Sequence, residues 1–247
     1  MWVDINVHLE LMSSPPEHVL EAARSVDVNF IATGTHPDQW HWIESRAPYL
    51  AFGLHPHHVD QQCPWPSILE DLLTRYPQSA VGEVGLDFRS GMPSEESQIH
   101  AFESQLALAQ SLDRAVIIHA VKSHHEVINS LRRVKCERFV IHAFTGSREI
   151  ASAYLSLGGY LSAGGLITRE PKPRVVSVFQ SIPQDRILLE TDAPDLPIAG
   201  EQEGSPAHLP LIGYALAKDL GLSETALQQL CTQNALNLFD YDFSQSN

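Results

Sequence analysis

A closed (β/α)8 barrel, the TIM-barrel class of α/β fold, is what this sequence predicts, and three observations predict it. Eight short apolar runs recur along the 247 residues, each bounded by turn-forming residues, as strands buried on both faces are. The segments between them are long enough for crossover helices, which parallel strands require. The rhythm has no linker, low-complexity stretch or break, and the length is close to the roughly 250 residues such a barrel needs. Eight unbroken units favour closure over an open doubly wound sheet, so we read residues 1–247 as one barrel domain.

The elements follow in chain order. The first strand is expected near residues 2–8. Ser14-Pro15-Pro16-Glu17 then reads as a capping box with Pro at the first helical position, and Val19, Leu20 and Ala23 follow at helical spacing. Strands are expected near 28–34, 50–55 and 80–84, with Ile99, Phe102 and Leu106 marking a core-facing helical stripe after the fourth. A fifth strand near 115–119 precedes Ser123-His124-His125-Glu126, a second capping-box pattern, which leads into Val127, Ile128, Leu131 and Val134. Strand six is expected near 139–143. Ile150, Ala153 and Leu157 form the next stripe, closed by Gly158 beyond the helix end. Strands seven and eight fall near 159–164 and 187–191. A Pro/Gly-rich loop (193–206) then leads to a helix near 207–220 and a shorter one near 223–238.

Four of the apolar runs end in a metal-ligand residue. Val81-Gly82 leads to Glu83, Ala115-Val116-Ile117-Ile118 to His119, Phe139-Val140-Ile141 to His142, and Ile187-Leu188-Leu189-Glu190-Thr191 to Asp192. A β/α barrel builds its active site from the C-terminal ends of its strands. A buried carboxylate or imidazole there needs a partner, and one divalent cation satisfies several. Imidazole and carboxylate together suit zinc, manganese or iron, and magnesium less well. A pair of cations would need a bridging carboxylate, and Glu83 is placed to be it.

Composition narrows the partners. The formal charge of −14 and the lack of any Lys/Arg run disfavour extended duplex binding, but a short end or a small phosphoester remains compatible. The motifs of P-loop, dinucleotide, zincin and serine-hydrolase sites are absent. No stretch approaches the roughly 20 apolar residues of a membrane span. The opening Met1-Trp2-Val3-Asp4 does not read as a signal peptide, and three dispersed cysteines (Cys63, Cys136, Cys231) argue for a reducing cytoplasm. Nothing points to an obligate protein partner.

The chain resembles the TatD family of metal-dependent hydrolases and DNases, within the amidohydrolase-like barrel superfamily. The segments that carry the resemblance are colinear: Asp4-Ile5-Asn6-Val7-His8, Gly53-Leu54-His55-Pro56, Gly82-Glu83-Val84-Gly85-Leu86-Asp87, Ile118-His119, His142-Ala143-Phe144-Thr145-Gly146 and Glu190-Thr191-Asp192-Ala193-Pro194. The resemblance implies one or two divalent ions (zinc, manganese or magnesium) and hydrolysis of phosphodiester bonds, often at a DNA or RNA 3′ end. It implies that Glu83, His119, His142 and Asp192 are ligands, joined by His8 from the first strand.

Three positions depart from the family pattern. Its usual opening is Asp-x-His-x-His, and the first His is here Asn6, whose amide oxygen is a poor zinc ligand, so the metal site nearest strand one should be weaker or filled differently. The Arg of the usual His-x-Arg after strand five is Val121, with Lys122 beside it as a point charge lacking bidentate geometry. The Arg-Asn-Glu-Pro-like stretch after strand eight is reduced to Gly204-Ser205-Pro206. These should change substrate choice more readily than chemistry.

The roles expected are then specific. Glu83 anchors or bridges the ions, and Asp192 both binds metal and accepts the proton of the attacking water. His55, on the loop at the mouth, and Lys122 are the candidate substrate contacts; Asp87 is read as holding the loop after strand four. Two other classes fit the same residues less well: a hydrolase of lactone, amide or small phosphoester bonds, and a non-catalytic barrel that lost its metal through Asn6.

Overall fold

The computed structural model describes residues 1–60 and 63–243. Eight parallel strands pair in chain order: β1 (Trp2–Val7), β2 (Val28–Gly34), β3 (Leu50–Phe52), β4 (Ala80–Asp87), β5 (Val116–Val121), β6 (Phe139–Ile141), β7 (Tyr160–Ala163) and β8 (Ile187–Leu189). Helices cover the outside: α1 (Pro16–Ser25), α2 (Pro37–Ile43), α3 (Trp65–Arg75), α4 (Glu95–Ser111), α5 (His124–Val134), α6 (Arg148–Leu155), α7 (Val175–Phe179), α8 (Leu209–Leu220) and α9 (Glu224–Phe239). The ring nearly closes where β8 returns to β1. Val7 and Ala193 form a parallel bridge, the His8 N–H donates to the Ala193 carbonyl (2.8 Å), and the Asp192 N–H donates to the Asn6 carbonyl (3.1 Å).

Two apolar cores follow from this layering. The larger lies between strands and helices. The smaller joins Val3, Ile5, Ile31, Ala51, Ile117, Val140 and Leu188 of the barrel interior to Phe239, Tyr241 and Phe243 of the C-terminal segment. Tyr241 holds that segment against the start of β3: its hydroxyl donates to the Leu50 carbonyl (2.5 Å) and accepts from the Leu50 N–H (3.1 Å). The N-terminal end of the barrel is therefore plugged, and polar groups collect at the other end.

Two irregularities in strand register shape that end. β1 and β4 each carry one residue more than their neighbours, between Asp4 and Val7 and between Val81 and Val84. A bulge of this kind re-aims side chains locally, and the irregular stretches are Ile5-Asn6 and Gly82-Glu83. Gly85 follows the second irregularity, paired with His119. Its φ is 145°, and a Cβ there would lie 2.0 Å from the His119 carbonyl oxygen, so β4 and β5 can approach only with hydrogen at this position.

Several local expectations need correction. The Ser14 and Ser123 capping boxes do not form: α1 is preceded by Pro15 without a side-chain cap, and the Ser123 hydroxyl donates instead to the Leu86 carbonyl (2.7 Å). The α6 stripe is rotated, with Ala151 and Tyr154 buried and Ile150 and Ala153 only partly so. β3 and β6 are three residues each, β4 runs on to Asp87, and α9 with 16 residues is longer than α8 with 12. Gly158 does take the left-handed backbone expected beyond α6, at φ 92°. Among the described residues no helix is long and apolar enough to cross a membrane.

Candidate metal centre

Each strand end contributes its polar residue to one cup. Glu83 projects from the β4 bulge, His119 from β5, and His142 and Asp192 from the residues just past β6 and β8. Asp192 turns the chain with φ 55°, a conformation Asp tolerates better than most residues. Its neighbour Thr191 is clamped by the buried Asp4 carboxylate, which accepts from the Thr191 N–H (3.0 Å) and hydroxyl (2.5 Å). Glu190 fixes the other flank. It accepts from the Ser162 hydroxyl (2.7 Å) and from the Ala143 N–H, and its Oε1 lies 3.6 Å from His142 Nδ1. Burial raises its carboxyl above the ordinary range.

Glu83 is the hub, and its two oxygens face different groups. Oε1 faces imidazoles: His119 Nδ1 at 2.8 Å, His142 Nε2 at 3.0 Å and His55 Nε2 at 3.2 Å. Oε2 faces the β1 side, 3.4 Å from His8 Nε2 and 3.0 Å from Asn6 Nδ2. Asp192 Oδ1 completes that second group, 3.4 Å from His8 Nε2 and 2.9 Å from Asn6 Nδ2. The sets Glu83/His119/His142 and His8/Glu83/Asp192 each gather their ligand atoms within 4.8 Å. A third set, His55/His57/His119, sits nearer the mouth, but His57 there is engaged by Asp87 at 2.9 Å.

The donor chemistry of the first set fits a cation. His119 Nδ1 and His142 Nε2 are 3.0 Å apart and both face Glu83 Oε1. Two N–H groups cannot point at each other, so at least one nitrogen presents a lone pair. Two imidazoles and a carboxylate converging in this way match the ligands of a divalent ion held at about 2.0–2.2 Å. Without an ion, protons do part of that work. Burial pushes His142 down, but the Glu83 charge raises it well above the ordinary imidazole range. Glu83 answers in the opposite sense: burial alone would raise it, and the His142 charge with the surrounding imidazole hydrogen bonds holds it well below the carboxylate range. His55, pushed down to about 3 by burial, stays neutral.

Asp87 does more than hold a loop. It is fully buried, and its Oδ2 lies 3.4 Å from His119 Nε2 and 2.9 Å from His57 Nε2. A ligand imidazole is oriented by a carboxylate on its far nitrogen, and Asp87 stands in that place behind His119. Replacing it as Asp87→Asn should weaken metal binding by about 10–100-fold while the chain stays folded. A competition titration against a calibrated chelator reads this directly, and an unchanged affinity would remove Asp87 from the site.

The cup opens into a cavity of about 710 Å³ lined by His8, His55, Glu83, His119, His142 and Asp192 and by the mouth residues His36, Gln39, His57, Thr145 and Leu196. Lys122, expected as a substrate contact, does not line it. Its side chain is exposed past the end of β5, where the backbone turns at φ 55°. The permanent cation at the mouth is Arg89, which sequence reasoning missed. Its guanidinium binds both oxygens of Asp87 (Nε at 2.9 Å to each), its Nη2 also lies 3.3 Å from His57 Nε2, and the side chain lines the cavity. Only the proximity of Asp87 to the Glu83 motif could have pointed to it.

A near-closed β/α barrel with carboxylates and imidazoles gathered at the C-terminal strand ends defines the class of barrel hydrolases that depend on metal. Within that class the chain belongs to the family of TatD-related DNases, whose model matches residues 3–240. It is 33% identical over 263 residues to a protein of Edwardsiella piscicida named 3'-5' ssDNA/RNA exonuclease TatD, covering 96% of this chain and 98% of that one. It is 36% identical over 162 residues to YjjV of Escherichia coli K12, an uncharacterized metal-dependent hydrolase, covering 64% of this chain and 62% of that one. The crystal structure of YjjV superimposes with a TM-score of 0.89 at 28% identity over 97% of this chain and 98% of that one.

Proposed function

We propose that the protein is a metal-dependent phosphodiesterase that removes nucleotides from nucleic-acid 3′ ends. The observation that carries this reading is the division of the Glu83 carboxylate, one oxygen toward His119 and His142 and the other toward His8 and Asp192. The exonuclease names of the relatives support the substrate class. A bound divalent cation supplies Lewis acidity to a phosphoryl oxygen and lowers the pKa of a water. Glu83, His119 and His142 would hold it, with His8 and Asp192 lining the β1 side of the cup. Asp192 takes the proton of the attacking water as general base. Arg89 binds a phosphate, and neutral His55 hydrogen-bonds the substrate or the ligand cluster. The net charge of −14 limits the substrate to an end or a short strand, or to a small phosphoester. Three free cysteines support a reducing, cytoplasmic setting.

The test is digestion of a 5′-labelled single strand across manganese, zinc and magnesium, with chelator as control. Stepwise shortening from the 3′ end that stops with chelator is expected. Arg89→Ala should raise KM by about 10–100-fold, the value of a charge-assisted hydrogen bond, with kcat little changed. A metal-loaded protein that leaves the strand intact under every metal overturns the proposal.

A further inference from the structure

We propose that Asn6 takes the place of one cation, so that this protein works with a single ion seated between Glu83 Oε1, His119 and His142. The inference rests on the metal-dependent reading above and goes beyond it in fixing ion number and position.

The two halves of the cup differ in what already satisfies their oxygens. On the β1 side the Asn6 amide is fully buried and donates one N–H to Glu83 Oε2 (3.0 Å) and the other to Asp192 Oδ1 (2.9 Å). Those are the two oxygens that an ion on that side would bridge, and His8 Nε2 approaches both at 3.4 Å. The amide nitrogen thus sits among the same ligands as a cation would. It has no lone pair to offer a metal, because its two hydrogens and its conjugation use it up. The orientation is set by charge. Asn6 Oδ1 has no hydrogen-bond partner in its buried position, so nothing at the oxygen selects this rotamer. Turning the amide over would set Oδ1 against two carboxylate oxygens. An ion entering here must therefore break two hydrogen bonds and reverse the amide, and gains in return a neutral oxygen that binds zinc poorly.

The other half carries no such plug. Among the described residues, Glu83 Oε1 is met by the rings of His55, His119 and His142. A ring nitrogen exchanges a proton for a lone pair without moving, so an ion enters by displacing protons alone. The asymmetry also serves catalysis. Asn6 engages one oxygen of Asp192 with a neutral donor, which steadies the carboxylate without neutralising it as a second cation would.

The experiment counts ions. The protein is stripped with chelator, reloaded with excess Mn2+, freed of unbound metal, and measured by native mass spectrometry, elemental analysis and electron paramagnetic resonance. Wild type should hold one ion with the spectrum of an isolated Mn2+. Asn6→His, which supplies a ring nitrogen in place of the amide, should hold two with an exchange-coupled spectrum. His142→Ala should lose the wild-type ion and His8→Ala should keep it. Two tightly held ions in wild type overturn the inference, as does a single ion that His8→Ala removes and His142→Ala does not, or an Asn6→His protein that stays at one. No ion in any variant overturns the metal reading itself, a separate outcome. The wild-type count needs no variant, so it decides the matter even if Asn6→His fails to fold.

Discussion

Glu83→Gln should empty the site and stop turnover while leaving the barrel standing. The substitution keeps the shape of a side chain that is 2% exposed and removes only its charge. Three imidazoles face Oε1, and His8 with Asn6 faces Oε2, so one carboxylate serves both groups at close range. Metal affinity should fall beyond the roughly 10–100-fold that loss of an outer partner costs, and activity with it. The metal-free protein gives an independent reading. Glu83 holds the His142 proton above the ordinary range, and the imidazoles hold Glu83 below its own. A depressed carboxylate adds stability above its unfolded pKa near 4.5, and a raised imidazole adds stability below its unfolded pKa near 6.5. Metal-free wild type should therefore exceed metal-free Glu83→Gln in chemical denaturation most clearly between those values. The excess should shrink as pH rises and His142 gives up its proton. Wild-type activity from Glu83→Gln in metal-controlled buffer would defeat the assignment.

The residues that anchor this expectation were legible in the sequence because barrel strands announce themselves. A two-faced buried strand is an unbroken apolar run, and the first ligand-type residue after it is carried to the C-terminal face by topology alone. Glu83, His119 and His142 obey that rule, whereas after β8 the first such residue, Glu190, braces Ser162 and Ala143, and Asp192 two positions on enters the cup. What surrounds them does not, because it depends on contacts between distant segments. The bulge that brings Asn6 toward Asp192, 186 positions away, leaves no periodic trace. Lys122 and Arg89 both follow strand ends, and only the left-handed turn at the one and the Asp87 clamp at the other send the first outward and keep the second at the mouth. Helix α4 hides its role for the same reason. Gln98 and Gln105 are buried although polar, since they hydrogen-bond backbone groups at Asp87 and Leu54 and so brace the loops beside the cup. Ser123 had a capping pattern and a helix to cap, yet the Leu86 carbonyl won its hydroxyl.

Asp192→Asn should separate chemistry from metal binding. Asparagine tolerates the φ of 55° found here, and its carbonyl oxygen can still accept from the Asn6 amide now received by Asp192 Oδ1 at 2.9 Å. Thr191 remains clamped by Asp4, so the loop past β8 keeps its position. What disappears is the basic oxygen to which the proposed mechanism gives the proton of the attacking water. General-base contributions of this kind are worth about 10²–10⁴-fold, and kcat should fall in that range with KM near its original value. Ion content tells which role the carboxylate plays. With the ion held by Glu83, His119 and His142, Asp192→Asn keeps it; an ion that needs Asp192 as ligand is lost along with the rate. The pH dependence adds a signature that a structural lesion would not produce. Hydroxide replaces the missing base as its concentration rises, so the deficit against wild type should narrow steadily toward alkaline pH. A deficit constant with pH, in a variant that retains its metal, would remove the base from Asp192 and leave it a purely positioning role.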